Sequence, residues 1–448
     1  MRTILIKQIP ICIYALLVGI LTFFIVHNAA FVLGDQAQFL TTTALGEMLP
    51  LSRYVIPVLG RFFPLGITDY NVLLLFLNEP SATAHFVINA ICFVLCAILL
   101  FMLCVDILRE KITLNYTIAA ISSFFLLARV YLVFIDLIFP ERLMILMIIA
   151  FIFLAYRFWN TEKIAYLIGS VLSAVYLTYC KEPVFGALLI FSVLVLCFAR
   201  NISQRKKIFL WLLVINSIVF IVLYYFLVYR GIVSAYNGAH GESNVWKTYI
   251  HMLYSQKILL FSAPILLYRI YEFLFKKDRE HIFFDAMLLS GFAYFGACLL
   301  LGLNFTYYYF PAVCIMTPPM LYFINHYFKK HWVLLAMVFL CLFYAVKIPK
   351  VIKDSQNGRL TTYAKVEALV NDYKAGYELV WQECTEEIEY EQILCEWRRA
   401  GLQAYVNYIL KDKSYLFSTE PHQDKYILLW NSSGNSNWQY DVSIEKNN

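Results

Sequence analysis

Asp35 is the first acidic residue of the chain, and it lies in the stretch Gly34-Asp35-Gln36 shortly after the first apolar run. Residues Gln36 to Met48 follow with an amphipathic pattern that predicts a helix lying along a membrane surface. A carboxylate at the start of such a helix is either its N-cap or a general base that meets a substrate held in the membrane. Asp35 is therefore our candidate catalytic residue, with the capping interpretation left open.

Several basic and aromatic residues have side chains suited to a phosphate-bearing substrate. An arginine offers a planar fork that binds phosphate through two parallel hydrogen bonds, whereas a lysine offers a compact positive charge. Arg61 follows a glycine, which permits a close backbone approach, and Lys181 lies in a tight turn between two apolar runs. The predicted substrate-binding and phosphate-binding residues are Arg61, Glu141, Arg142, Lys181 and Tyr308. Each of them also fits a plain structural role as an interfacial charge, an ion-pair partner or a member of an aromatic belt.

The composition places these residues in a membrane protein. Of the 448 residues, 61% are hydrophobic and 15% are charged, whereas a soluble domain is about half apolar and about a quarter charged. We predict an all-α polytopic membrane protein with about 11 transmembrane helices, because about that many apolar runs approach the ~20 residues that cross a bilayer. The predicted spans are 9–27, 84–107, 117–135, 143–158, 164–180, 183–200, 208–229, 257–275, 282–303, 309–328 and 332–348.

The distribution of lysine and arginine predicts how these spans are oriented. Every second connection, starting with the one after the second span, is short and basic, and such connections face the cytoplasm. The N-terminus is then cytoplasmic, and residues 28–83 form a long first loop on the outer side, with helices along the membrane surface. Residues 1–349 form the transmembrane domain, and residues 350–448 form a small α or α+β domain on the outer, periplasmic side of an inner membrane.

The sequence lacks the signatures of several other enzyme classes. A phosphate-binding Walker loop, a dinucleotide fingerprint, a His-Glu-x-x-His zinc motif and a nucleophile elbow are all missing. The 11 cysteines show no metal-ligand spacing, so the sequence indicates no metal site formed by cysteines. No nucleic-acid partner is expected either. Cys384 and Cys395 lie in the predicted outer domain, where either a disulfide or two free thiols would fit.

The arrangement of these features resembles that of the C-type (GT-C) integral membrane glycosyltransferases. A first span with a cytoplasmic N-terminus leads into a long outer loop that opens with an acidic residue, here in Gly34-Asp35-Gln36. A Gly-Arg pair, here Gly60-Arg61, precedes the second span, and further spans and an outer C-terminal domain follow. The chain is similar in particular to bacterial members that use a polyprenyl-phosphate-linked sugar, such as the GtrII-type glucosyltransferases.

The resemblance implies that the protein moves a hexose or pentose, with inversion, from a polyprenyl-phosphate donor to an acceptor on the outer face. The acceptor would be a surface glycan, a lipid-linked glycan or a similar molecule. Asp35 would take the proton of the acceptor hydroxyl, and Arg61 with Lys181 or Arg142 would stabilise the phosphate leaving group. The C-terminal domain would help to bind the acceptor, and membrane lipids would surround the spans.

The resemblance leaves metal use open. Many members of this family carry two adjacent acidic residues in the first loop, whereas the second position here is Gln36. No cofactor is therefore certain, and a mechanism with a single base is favoured. A divalent metal would fit if Asp136 or Glu141 supplied a second carboxylate.

Three other functions compete with this interpretation. An O-antigen polymerase or ligase would also act on lipid-linked glycans, but such enzymes usually place their large loop in the second half of the spans. A transporter or flippase of lipid-linked sugars would need polar residues in mid-membrane, for which Asn89 and Arg129 are the clearest candidates. A structural or receptor protein would use the C-terminal domain to bind partners, and its outer charges would be incidental.

Overall fold

The described part of the chain is mainly helical in a computed structural model. The structure describes residues 2–33, 35–56, 60–109, 113–137, 139–231, 249–250, 257–300, 306–382, 389–431 and 442–447. The helices are α1 Arg2–Val26, α2 Asp35–Ala44, α3 Ala82–Leu108, α4 Thr113–Val130, α5 Leu132–Ile135, α6 Glu141–Thr161, α7 Ile164–Cys180, α8 Val184–Phe198, α9 Gln204–Leu227, α10 Lys257–Phe275, α11 Ile282–Leu300, α12 Phe310–Tyr327, α13 Lys330–Ala345, α14 Ile348–Lys374 and α15 Glu389–Leu410.

Each predicted span overlaps at least one of these helices, and the span 117–135 covers both α4 and α5. The prediction of a helical, polytopic membrane protein is therefore confirmed in outline. By length and composition, 7 helical segments of the described ranges suffice to cross a membrane: Gln8–Val26, Ala82–Leu108, Glu141–Thr161, Gln204–Gly231, Lys257–Phe275, Ile282–Leu300 and Lys330–Lys374. The helices Leu114–Val130, Ile164–Cys180 and Val184–Phe198 are apolar but shorter. The number of helices that cross the bilayer, and the side on which each terminus lies, stay predictions.

The first loop and the ends of the helices that lead to and from it define one end of the bundle, which we call the loop end. The helix α1 ends there and α3 begins there, where the Ser81 hydroxyl accepts a hydrogen bond from the Ala84 N–H at 3.3 Å as an N-cap. Because successive helices alternate in direction, α6 also begins at the loop end and α7 ends there. The residues 181–183 between α7 and α8 therefore lie beside the first loop.

The first loop is an ordered structure in its described residues. The helix α2 ends at Ala44 rather than at the predicted Met48, because Gly46 adopts a φ of +83° that favours glycine. A Cβ atom at Gly46 would also lie 2.7 Å from the carbonyl oxygen of Asn78. Two short strands, β1 Val55–Ile56 and β2 Arg61–Phe62, then form an antiparallel pair, and a 3₁₀ helix follows over Thr68–Leu75.

The C-terminal segment combines two helices with a sheet of three strands and packs on the first loop. Strand β3 Glu378–Trp381 pairs in parallel with β4 Tyr426–Asn431, which pairs antiparallel with β5 Val442–Asn447. The helix α15 packs against α2, and the Tyr408 ring lies 5.2 Å from the Phe31 ring at the start of the first loop. Cys384 and the side chain of Cys395 lie outside the described residues, so the disulfide stays untested, as does the predicted domain boundary.

Arg359 of α14 joins the C-terminal segment to the bundle. Its buried guanidinium donates hydrogen bonds to the carbonyl oxygens of Ile25 at 3.0 Å, of His27 at 2.9 Å and of Ile135. It also lies 3.8 Å from the centre of the Phe86 ring. Because the last carbonyl groups of a helix have no intrahelical partners, Arg359 satisfies the end of α1 while these oxygens replace its lost hydration.

We expect the substitution Arg359→Leu to destabilise the protein by about 3 kcal/mol, because it leaves buried carbonyl oxygens without donors. The matched control is Lys353→Leu, an exposed position on the same helix, where surface substitutions stay within about 0.5 kcal/mol. Thermal unfolding of the detergent-solubilised protein measures both variants. Equal melting temperatures for the two would contradict this role of Arg359.

Candidate active site

Arg142 is a fully buried cation at the loop end, near the start of α6. Its Nη2 donates hydrogen bonds to both carboxylate oxygens of Asp69, at 2.8 and 2.6 Å, and its Nε donates to Asn89 Oδ1 at 2.7 Å. The guanidinium also stacks on the Tyr70 ring, 4.2 Å from its centre. A buried charge is tolerated only when such partners replace its hydration, so Arg142 ties the 3₁₀ helix of the first loop to α3 and α6.

Asn89 of α3 is the centre of a buried set of hydrogen bonds. Its Nδ2 donates to the carbonyl oxygens of Phe134 at 3.1 Å and Asp136 at 2.7 Å. Its Oδ1 accepts from Arg142 and lies 2.7 Å from the Tyr70 hydroxyl. One amide side chain thereby holds the connection between α4 and α6 against the first loop.

The start of α2 is tied to the same connection. Gln36 Nε2 donates a hydrogen bond to Asp136 Oδ1, which also accepts from the Leu137 N–H at 2.8 Å. At the other end of α2, Thr43 Oγ1 lies 2.7 Å from His85 Nε2, and both side chains are buried. A continuous path of hydrogen bonds therefore leads from the first turn of α2, through Asp136 and Asn89, to Arg142.

Lys181 and Glu141 form a second buried pair beside Arg142. Lys181 Nζ lies 2.7 Å from Glu141 Oε1, and 6% of the lysine side chain and 1% of the glutamate side chain are exposed. The same Nζ lies 4.5 Å from the centre of the Tyr308 ring, which is itself buried. The second carboxylate oxygen, Glu141 Oε2, has no hydrogen-bond partner among the described residues. Glu141 Oε2 can therefore accept a further hydrogen bond.

Arg61 and Glu182 form the most accessible pair of the group. Arg61 Nε donates to Glu182 Oε1 at 3.1 Å, with 16% and 18% of the side chains exposed. The Phe62 N–H donates to the same oxygen at 2.8 Å. The Phe63 ring lies 4.7 Å from the Arg61 guanidinium and 6.0 Å from Lys181 Nζ, so one aromatic ring separates the two cations.

Glu182 is held in its charged form. Burial alone would raise the pKa of this carboxyl, but the charges of Arg61 and Lys181 and the hydrogen bond from the Phe62 N–H outweigh it and lower the pKa below its ordinary value. Glu182 is therefore an anion at neutral pH, which suits a positioning partner of Arg61 better than a proton donor.

The structure brings the five predicted binding residues together at the loop end, on α6, on the turn after α7, on the first-loop strand β2 and in the 3₁₀ helix Thr306–Tyr309. Asp35 begins α2, but its side chain lies outside the described residues, so its role as general base stays a prediction. The sequence interpretation did not name Phe63 or Asn89 as members of the group. The signal for Asn89 is its position as an amide within an apolar run.

A possible cation site lies at the opposite end of the bundle. In the described ranges, carboxylate oxygens of Asp278 and Glu280 and a ring nitrogen of His281 lie within 4.8 Å of one another. Asp278 already accepts a hydrogen bond from Arg269 at 2.9 Å, and His281 Nδ1 lies 2.8 Å from the Tyr322 hydroxyl. Asp278 and His281 are therefore already engaged by side-chain partners. Whether a divalent metal binds at the loop end stays a prediction.

Comparison with known proteins finds similarity to solved structures but not to a protein family. No protein-family model matches the chain, and no curated protein sequence matches it. The chain is similar to the crystal structure of ArnT from Cupriavidus metallidurans bound to undecaprenyl phosphate, with 10% sequence identity, a TM-score of 0.48 and 98% of each chain covered. At that score the similarity carries no inference about the activity, substrate or site residues of this chain.

We expect Arg142→Met to destabilise the protein by about 3–5 kcal/mol, because the buried Asp69 carboxylate and the Asn89 amide then lose their partner. The matched control is Arg157→Met at the opposite end, where the guanidinium pairs with Asp106 but 34% of its side chain is exposed. This pair is partly exposed and is expected to contribute less, about 1 kcal/mol. Chemical denaturation in mixed micelles compares the two, and a smaller effect at Arg142 than at Arg157 would refute the account.

The lowered pKa of Glu182 predicts a pH dependence. Stability from a carboxyl with a depressed pKa is complete above its unfolded pKa, about 4.3, and is lost as the pH falls through the folded value. We therefore expect wild type to melt at a higher temperature than Glu182→Gln by a constant difference from pH 7 to pH 5. The difference should shrink only below about pH 4. A difference that disappears near pH 6 would mean that the pKa is raised.

Proposed function

We propose that this chain is a membrane glycosyltransferase that moves a sugar from a polyprenyl-phosphate donor to an acceptor at the loop end, which faces the outside of an inner membrane. One observation carries the proposal. Arg61, Lys181 and Arg142 come from three distant segments and gather within one connected group at the loop end, beside a first loop that is fixed on the bundle. Basic side chains at this depth cost free energy unless they are used or paired.

Arg61 and Lys181 are the proposed phosphate ligands. Both lie near the Phe63 ring, both retain some exposure, and each is held by a carboxylate. The phosphate displaces these carboxylates as its own negative charge grows from one to two during cleavage of its bond to the sugar. As the bond between the sugar and the phosphate oxygen breaks, negative charge grows on that oxygen, and cations already in place stabilise it without reorganisation. The aromatic rings of Phe63 and Tyr308 exclude water beside the cations and strengthen this effect.

Arg142 acts in this proposal as a positioning residue. Its side chain has no exposed surface and is bonded to Asp69 and Asn89, so it holds the first loop rather than the substrate. Its neighbour Glu141 orients Lys181. We propose this role for Arg142 rather than direct binding of phosphate because its side chain is buried.

Asp35 is the proposed general base. Its carboxylate takes the proton of the acceptor hydroxyl while that oxygen attacks the anomeric carbon, and the bond to the lipid phosphate breaks on the opposite face of the sugar. The products are the glycosylated acceptor with inverted configuration, a protonated Asp35 and the free polyprenyl phosphate. The hydrogen bonds of Gln36 and Thr43 support the proposal, because they fix both ends of the helix that Asp35 begins.

The acceptor is proposed to bind between the first loop and the C-terminal segment. The helix α15 packs on α2, and exposed ion pairs join Lys413 to Glu47 at 3.3 Å and Lys411 to Glu79 at 3.8 Å. Exposed pairs contribute less than about 1 kcal/mol each, so an acceptor glycan can displace them at small cost.

The contacts of the polar residues favour the transferase over a transporter. Asn89, one of the two residues named for a transport path, is engaged with Tyr70 and Arg142 at the loop end rather than with a partner in mid-membrane. A polymerase or ligase acting on lipid-linked glycans uses the same phosphate chemistry. The size of the product therefore distinguishes it from the proposed single-sugar transfer.

The test is a transfer assay in proteoliposomes supplied with radiolabelled lipid-linked sugars and acceptors extracted from host membranes. We expect Arg61→Ala and Lys181→Ala to lower the turnover about 10²–10³-fold and Asp35→Asn to lower it about 10²–10⁴-fold. Wild type should add one sugar to each acceptor. Melting temperatures identify variants that fail to fold.

Matched controls come from the opposite end of the bundle. Lys206 pairs with Glu162 at 3.5 Å and lies 4.9 Å from the Trp159 ring, so, like Lys181, it has a glutamate partner and a nearby aromatic ring. Arg157 likewise copies those of Arg61, with a carboxylate partner and the Phe153 ring at 5.4 Å. Lys206→Ala and Arg157→Ala should keep full turnover. Equal losses at both ends, lipid movement without covalent product, or products that contain whole repeats would overturn the proposal.

A further inference from the structure

We propose that a membrane lipid with a phosphate monoester head group binds at the loop end between α4, α10 and α13, where Arg129, Lys257 and Lys347 gather. This site is distinct from the group formed by Arg61 and Lys181. It stands on its own contacts and does not rest on the function proposed above.

The three cations come from distant parts of the chain and share one pair of aromatic rings. Arg129 lies near the end of α4, Lys257 begins α10, and Lys347 follows α13. The Nζ atoms of Lys257 and Lys347 lie 5.9 and 5.7 Å from the centre of the Phe343 ring. The Arg129 guanidinium lies 5.0 Å from the neighbouring Tyr344 ring. The Tyr344 hydroxyl accepts a hydrogen bond from the Lys257 N–H at 3.1 Å, which fixes the start of α10 here.

Their mutual repulsion indicates the charge of the ligand. Arg129 and Lys257 both act on Lys347 as like charges, so an anion placed among them is attracted by all three side chains. A guanidinium fork with two ammonium groups matches the oxygen atoms of a phosphate. A phosphate monoester carries up to two negative charges, so it suits three cations better than a diester with a single charge.

The exposed face of α13 indicates that the anion belongs to a lipid. Leu335, Phe339, Leu342 and Val346 are all more than half exposed, with exposed fractions of 58%, 59%, 60% and 77%. They follow one another at spacings of three and four residues, so they form a single apolar stripe that ends beside Lys347. A hydrocarbon chain along this stripe would place its head group at the cations, whereas a free phosphate ion would contact only the cations and not the stripe.

The site adjoins the candidate active site through one segment. Arg129 also lies 4.6 Å from the ring of Phe310, the first residue of α12. The preceding 3₁₀ helix carries Tyr308, whose ring covers Lys181. A lipid bound at the three cations therefore lies on the outer side of the segment that closes the group around Lys181.

The experiment is native mass spectrometry of the purified full chain with dioleoyl phosphatidic acid, a monoester, and with dioleoyl phosphatidylglycerol, a diester. We expect wild type to bind phosphatidic acid at least about tenfold more tightly. The double variant Lys257→Ala/Lys347→Ala should lose roughly tenfold to thirtyfold in affinity, the effect of two basic side chains near an anionic head group. Lys257→Arg/Lys347→Arg should restore the binding.

The control variant is Lys277→Ala/Lys329→Ala, which removes two exposed lysines at the opposite ends of the same two helices and should leave the affinity unchanged. If Lys257→Ala/Lys347→Ala fails to fold, the exposed single variant Lys347→Ala carries the test. Equal losses in the control, equal affinity for the two lipids, or displacement of phosphatidic acid by an equal concentration of inorganic phosphate would overturn the proposal.

Discussion

The buried guanidinium of Arg142 is the interaction on which the loop end depends. Both oxygens of Asp69 and the amide of Asn89 neutralise and solvate it. Without that charge in place, the carboxylate on the first loop would have to find water, and the 3₁₀ helix that carries it would leave the bundle. Because Asn89 also holds the connection from α4 to α6, one cation fixes the relative positions of three elements.

The rest of the candidate site follows from this fixed frame. Glu141 precedes Arg142 on the same helix and orients Lys181, and the turn that carries Lys181 also carries Glu182, the partner of Arg61. Each cation is paired with one carboxylate, so the group is close to neutral when empty. Such an arrangement keeps positive charge in a poorly hydrated place at moderate cost. The cations are then already in position when negative charge grows on the phosphate during the reaction.

The sequence predicted those parts that depend on local pattern. Apolar runs of bilayer length located the helices, and the charged residues between them located Arg61, Glu141 and Lys181 at one end. The tertiary partners of the charged residues were not predictable from the sequence. The pairing of Arg142 with Asp69, for example, depends on how a 3₁₀ helix in the first loop packs on α3. The end of α2 was also placed too late, since a helical pattern does not show where a glycine adopts a positive φ.

The same limits apply to the basic residues outside the candidate active site. From the sequence alone, Arg129 is expected in mid-membrane, whereas in the fold it lies beside Phe310 and Tyr344 at the loop end. Lys257 and Lys347 are far apart in sequence and meet at Phe343 only through the packing of α10 and α13. Charges that gather by tertiary packing leave no signal in the spacing of the sequence.

The most direct test of the central claim is electron cryomicroscopy of the protein in lipid nanodiscs with a polyprenyl phosphate. The account predicts density for the phosphate within hydrogen-bond distance of both Arg61 and Lys181, with Glu182 and Glu141 moved away from them. A phosphate bound elsewhere, with the pairs Arg61–Glu182 and Lys181–Glu141 intact, would contradict it.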